Sequence, residues 1–275
     1  MIIAQVTDTH IAHDAPDADH RVCDLERTIA DINALDPAPD AIIHTGDIVH
    51  GGRPEDYARA ASLLGKLRAP LFVAVGNRDE RGSLRQAFSP WACRAPGGGL
   101  LDYAVEDFPV RLIAVDSVCP GSNKGGFDSE RARCVTELID AERTKPIALF
   151  MHHPPFIVAV GPDPLNFVTA EAMTRLQQTL ARSGRVAAVF CGHVHRSTCG
   201  RIGNIPVMVA PCTATTLRKG DFPPQMGNRP VYHLHRLDSA GGLVTEVRMV
   251  AAATRDENRE SGSVAVTAGA NREPA

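Results

Sequence analysis

Seven short apolar runs recur along the chain, each closed by turn-forming or polar residues. They are MIIAQVTD (1–8), DAIIHTGD (40–47), PLFVAVGN (70–77), VRLIAVDS (110–117), PIALFMHH (146–153), VAAVFCGH (186–193) and IPVMVAP (205–211). Their apolar residues follow one another without alternation, the pattern of strands covered on both faces. Between the runs the period becomes helical. In CDLERTIADINAL (23–35), Leu25, Ile29, Ile32 and Leu35 share one face, with Asp24 near the predicted start. PEDYARAASLLGKL (54–67), DSERARCVTELIDAE (128–142) and TAEAMTRLQQTLARS (169–183) read the same way, and Asp128 is a candidate cap.

Strands alternating with helices put the chain in the α/β class. RPVYHLHRL (229–237) and GLVTEVRMV (242–250) do alternate, and they flank a glycine-rich turn. That predicts an antiparallel hairpin, hence mixed sheets. The breaker-rich stretch 212–230 predicts a surface excursion. From about residue 251 the chain is small, polar and aperiodic, which predicts a flexible tail (251–275) behind one domain (1–250).

Composition adds exclusions. Aromatic residues make up 5% and the formal net charge is -3, so neither a stacking platform nor a basic face for nucleic acid is expected. No run approaches the length of a membrane span, and the first residues read as a strand and not as a leader. Seven scattered cysteines without a CxxC pair point to reduced thiols and a cytoplasmic protein.

The chemistry sits where the apolar runs end. Those ends carry Asp8-Thr9-His10, Gly46-Asp47, Gly76-Asn77, His152-His153 and Gly192-His193-Val194-His195. In α/β sheets, sites form beyond the carboxyl ends of strands, so residues far apart in sequence can converge there. Carboxylate, imidazole and amide oxygen together suit divalent ions such as Mn, Fe and Zn, and one carboxylate can bridge two ions. One such residue reads most simply as a hydrogen-bonding group. Seven buried together would be costly without a cation. Neither a GxSxG elbow nor a CxxxxxR loop is present, so a covalent route is not expected. His44 reads as a core histidine, and His233 and His235 as structural.

These motifs, D-x-H, G-D, G-N-x-D, H and G-H-x-H in order over residues 1–215, resemble the calcineurin-like metallophosphoesterases. TDTH, GDIVHGGRPEDY and FMHHPP bring the chain nearest to the bacterial class III cyclic-nucleotide phosphodiesterases and the glycerophosphodiesterases. The resemblance implies a four-layer αββα sandwich, with 212–230 as a small cap and a homodimer or larger homo-oligomer built through it. It implies two divalent ions, with Mn, Fe, Zn and Co as candidates. Asp8, His10, Asp47 and His195 would hold the first; Asp47, Asn77, His152 and His193 the second. It implies hydrolysis of small phosphodiesters, cyclic nucleotides or glycerophosphodiesters, by in-line attack of a metal-activated water. Asp47, Arg78 and His50 are the catalytic candidates, and Asn77, Arg78, His153 and His195 face the substrate.

One letter departs from the family pattern. The motif has histidine where this chain has Arg78. An arginine cannot give up a proton near neutral pH, but it can donate forked hydrogen bonds to phosphate. The expectation is a charge-stabilising Arg78, with the leaving-group proton coming from water, a metal, or a histidine such as His50 or His13. The alternatives are an Arg78 ion pair with Asp79 or Glu80, a nuclease or phosphomonoesterase of the same superfamily, and a non-catalytic metal-binding scaffold.

Overall fold

A computed structural model describes residues 1–88, 99–159, 165–238, 240 and 242–251. The tail expected over 251–275 therefore lies outside the described residues, save Ala251.

The first sheet has the order β11-β10-β1-β2-β3. Its members are β1 (Ile2–Val6), β2 (Ala41–His44), β3 (Leu71–Val73), β10 (Val231–Leu237) and β11 (Leu243–Met249). β1, β2 and β3 run parallel, while β10 and β11 form the expected antiparallel hairpin and pair with β1. The second sheet has the order β4-β5-β6-β7-β9-β8. It comprises β4 (Tyr103–Val105), β5 (Arg111–Val115), β6 (Ile147–Met151), β7 (Val186–Cys191), β8 (Thr198–Ile202) and β9 (Ile205–Val209). β5, β6, β7 and β9 are parallel, with antiparallel β4 and β8 at the edges.

The helices are α1 (Ala18–Asn33), α2 (Pro54–Leu64), α3 (Arg81–Phe88), α4 (Ser129–Asp140) and α5 (Ala170–Arg182). Asp128 caps α4 by accepting from the Arg131 amide at 2.9 Å. The first helix begins earlier than its apolar period predicts. Asp24 lies mid-helix and buried, and not near the start.

Alternate residues of the central strands explain the unbroken apolar runs. Leu112 and Ala114 of β5, Ala148 and Phe150 of β6, and Ala188 and Phe190 of β7 join one core with the first sheet and with α1, α2 and α3. Ile113, Leu149 and Val189 face the other way, into a core shared with α4 and α5. Each middle strand is thus apolar on both faces, and the layers are helix, sheet, sheet, helix.

The stretch 212–230 contains two short 3-10 turns, Thr215–Leu217 and Pro224–Met226. Its first part is tied down: the Thr213 amide donates to the Thr7 carbonyl at 2.9 Å, and the Lys219 amide to the His195 carbonyl at 3.0 Å. The excursion therefore begins as a strap over the strand ends.

Candidate metal centre

The C-terminal ends of β1, β2 and β3 meet those of β6 and β7 across the seam between the sheets. The loops are stitched by backbone bonds: the Asp8 amide to the Gly46 carbonyl (3.0 Å), the His10 amide to the Asp47 carbonyl (3.1 Å), and the Gly192 amide to the His152 carbonyl (3.1 Å). Glycine precedes a candidate ligand three times because there is no room for a side chain. A Cβ on Gly76 would lie 2.1 Å from the Asp47 amide nitrogen, and one on Gly192 would lie 2.0 Å from Thr7 Oγ1.

The first group is Asp8, His10, Asp47 and His195, whose ligand atoms all lie within 4.8 Å of one another. His195 Nε2 is 3.2 Å from Asp8 Oδ1 and 3.1 Å from His10 Nε2. His10 Nε2 lies 3.6 Å from Asp47 Oδ2. The second group is His152, Asn77 and His193. His152 Nε2 is 3.0 Å from Asn77 Oδ1, 3.2 Å from His193 Nδ1 and 3.5 Å from Asp47 Oδ1. Asp47 thus turns one oxygen to each group.

The donor set fits divalent ions on its own geometry. His195 Nδ1 donates to the Leu217 carbonyl and His152 Nδ1 to the Thr45 carbonyl, both at 2.8 Å. A carbonyl can only accept, so each ring presents Nε2 inward. Asp8 Oδ2 is held by the Thr7 hydroxyl (2.6 Å) and the His193 amide (3.0 Å), while buried Asp8 Oδ1 has no hydrogen-bond partner. An unpaired carboxylate oxygen facing imidazole nitrogens invites a cation.

The carboxylates dominate the local field. Burial opposes a charged His152, but Asp47, helped by Asp8, outweighs it and holds the pKa up at about 9. Burial likewise opposes charge on His195, and Asp8 reverses it, raising the pKa to about 11. His193 is pushed down to about 3 by burial and by neighbouring His152.

The backbone pays for this convergence. Asp8 (φ 51°), His10 (φ 45°), Asp47 (φ 53°), His193 (φ 73°) and His195 (φ 57°) are left-handed, and among the described residues no other non-glycine is. Such a conformation costs about 1–2 kcal/mol per residue. Its confinement to five candidate ligands marks strain held at a functional site.

Arg78 is exposed, and its side chain makes no hydrogen bond or ion pair among the described residues. Its amide donates to Asp47 Oδ1 at 2.7 Å. The alternative ion pair with Asp79 or Glu80 is not formed, because both carboxylates serve backbone amides. Glu80 accepts from Gly82 and Ser83 (2.8 and 2.7 Å). Asp79 accepts from Gly76 (2.9 Å), Ile48 (3.1 Å) and the Tyr57 hydroxyl (3.0 Å). Asp79 therefore pins the Asp47 loop to the Asn77 loop, a positioning role that its place after Arg78 in the motif could have suggested.

His50 stands against His10, ring centroids 5.6 Å apart. Burial, then Arg21, His10 and Arg78, press its pKa below the ordinary value. His13 is paired with Asp56 at 2.6 Å. The substrate contact expected of His153 is not one this structure offers. The residue is fully buried, with Nδ1 2.8 Å from Ser117 Oγ and Nε2 3.2 Å from the Asn123 carbonyl. It backs His193 from within, at a centroid separation of 4.5 Å.

Comparison with known proteins agrees with this geometry. The family model described as calcineurin-like phosphoesterase matches residues 1–197. A probable glycerophosphodiester phosphodiesterase, GpdQ, of Arcobacter nitrofigilis is 31% identical over 91% of this chain and 93% of its own length. A cAMP/cGMP dual specificity phosphodiesterase of Mycobacterium tuberculosis is 31% identical over 78% of this chain and 68% of its own. Among solved structures, the purple acid phosphatase PPD1 of yellow lupin superposes with a TM-score of 0.63 at 12% identity, over 91% of this chain and 51% of its own.

Proposed function

The chain belongs to the calcineurin-like phosphoesterase family, and on that premise we propose that it hydrolyses small soluble phosphodiesters at a pair of divalent ions, with glycerophosphodiesters and cyclic nucleotides as the candidate substrates. The observation that carries this reading is Asp47, whose Oδ2 faces His10 and whose Oδ1 faces His152. When bound, two divalent ions supply positive charge to the phosphoryl oxygens and make water a usable nucleophile at neutral pH.

The chain's own residues do the rest. Asp8, His10 and His195 hold one side of the site, and Asn77, His152 and His193 the other. The unpaired Arg78 guanidinium offers two donors to the non-bridging oxygens of the ester, where charge builds in the transition state. His50, against the His10 ring, is placed to hydrogen-bond the leaving oxygen or its water. The reading includes self-association through the excursion 212–230, which light scattering tests.

The deciding experiment is hydrolysis by purified protein of bis(p-nitrophenyl) phosphate, p-nitrophenyl phosphate, 3′,5′-cAMP, 2′,3′-cAMP and glycerophosphoethanolamine, with Mn or with chelator. Metal-dependent turnover of the diesters supports the proposal. Preference for the monoester, or no turnover with any divalent ion, overturns it.

A further inference from the structure

The two histidines of the first group stand on loops that share one anchor, the N-terminal half of α1. Arg21 donates from Nη1 to the His10 carbonyl at 3.0 Å and from Nη2 to Asp17 Oδ1 at 2.6 Å. The other oxygen of Asp17 accepts from the Thr216 hydroxyl. One turn on, buried Asp24 accepts at Oδ2 from both the Thr215 amide (2.8 Å) and the Thr215 hydroxyl (2.7 Å). Thr215–Leu217 is the short turn whose last carbonyl takes the Nδ1 proton of His195.

That turn has no buried residue of its own. Polar contacts therefore place the Leu217 carbonyl: the grip of Asp24 on Thr215, together with the bonds of the Leu217 amide to the Ala214 carbonyl and of the Lys219 amide to the His195 carbonyl. A ligand ring is oriented by the partner of its other nitrogen, and loss of such a partner costs metal affinity.

We propose that α1 is a clamp for one of the two metal sites, with Asp24 a positioning residue that fixes, through Thr215 and the Leu217 carbonyl, the ring of His195. The inference rests on the reading of His195 as a ligand. It gives the two ions separate supports, because His152 is oriented by the carbonyl of Thr45, a residue of the loop after β2 and not of the turn that α1 holds.

The test is calorimetric titration of chelator-stripped protein with Mn. The parent is expected to show two binding events. Thr215→Val, which removes the hydroxyl, and Asp24→Asn, which removes one charge, are each expected to weaken one event by about tenfold or more and spare the other, the scale of lost support to a ligand. Thr215→Ser is expected to behave as the parent. In a His195→Ala background, Thr215→Val should change nothing further. Unchanged binding in Thr215→Val overturns the clamp. Equal weakening of both events, or a persistent effect without His195, overturns it also, since that is the signature of general loosening. Should Asp24→Asn fail to fold, the threonine pair still decides. Two Mn per parent chain without phosphodiester turnover would sink the proposed function and leave the clamp standing.

Discussion

His10 and His195, 185 positions apart in the chain, present Nε2 to Nε2 at 3.1 Å, with Asp8 Oδ1 3.2 Å from the second ring. At that distance the two nitrogens must share a proton or a metal cation, and a divalent ion would replace that proton. Chelator-treated protein is therefore expected to gain stability when Mn is added. At a hundredfold excess over the dissociation constant the gain is about 2.7 kcal/mol, or roughly 5–10 °C in the unfolding midpoint for a domain of this size. Thermal unfolding followed by circular dichroism measures it, and a midpoint indifferent to Mn would count against a metal centre.

Arg78 is the residue whose replacement separates charge from proton transfer. Arg78→Ala is expected to lower kcat/KM for bis(p-nitrophenyl) phosphate by roughly tenfold or more, the scale of a charged hydrogen bond worth about 1.5–3 kcal/mol. Arg78→His should instead raise turnover of diesters with alkoxide leaving groups, because an imidazole can supply the proton. A series of leaving groups of graded pKa reads both effects. If neither variant differs from the parent, the arginine stands outside the chemistry.

The left-handed backbone at His195 predicts an inversion of the usual order of substitutions. Glycine ordinarily destabilises relative to alanine. At φ 57° alanine must bear a strain of about 1–2 kcal/mol that glycine escapes. His195→Gly is thus expected to be more stable than His195→Ala by about 1 kcal/mol in urea titrations with chelator present. The opposite order would refute the strain.

Stability is expected to depend on pH through Asp102, which belongs to neither group of candidate ligands. Burial, with the charge of Asp116 adding to it, lifts this carboxyl to about 6 from 3.8, outweighing the hydrogen bond from the Asp116 amide. Between those values the folded chain holds a proton that the unfolded chain has released, so stability falls as pH rises from about 4 to 6. Asp102→Asn keeps an oxygen for the Asp116 amide and removes the buried charge. It is expected to stabilise the protein at pH 8 by about 1–3 kcal/mol and to have little effect at pH 4. Denaturation of both proteins at the two pH values checks the sign.

Much of this arrangement was legible in the sequence, because strand ends and ligands coincide. The central strands announced themselves as unbroken apolar runs, since both faces of the second sheet are buried. β4 and β8 did not, being edge strands with too few apolar residues to form such a run. The candidate ligands were visible as letters at five run ends. What holds them was not. Asp79 stood as an alternative salt-bridge partner for Arg78, but it accepts from the backbone amides of Ile48 and Gly76, which carry no sequence signal, and from the Tyr57 hydroxyl. His153 read as either a support behind the neighbouring ligand or a wall of the pocket, and its bonds to Ser117 and Asn123 favour the first. The start of α1 was misplaced because Ala18 and Val22, which continue the face of Leu25 and Ile29, are a small and a half-buried residue set among polar ones and read as no part of the period.

The seam between the sheets also sets an order of events during synthesis. Asp8 leaves the ribosome roughly 190 residues before His195, and β10, the partner of β1, comes later still. At ~5–20 residues per second, the nascent chain carries its first candidate ligands for roughly 10–40 s before the opposing ones exist. The candidate ligands from the first sheet complete neither group alone. Completion of both groups is thus deferred to the last steps of translation, and a chain truncated before His193 would present Asp8, His10, Asp47, Asn77 and His152 without the histidine that closes each group.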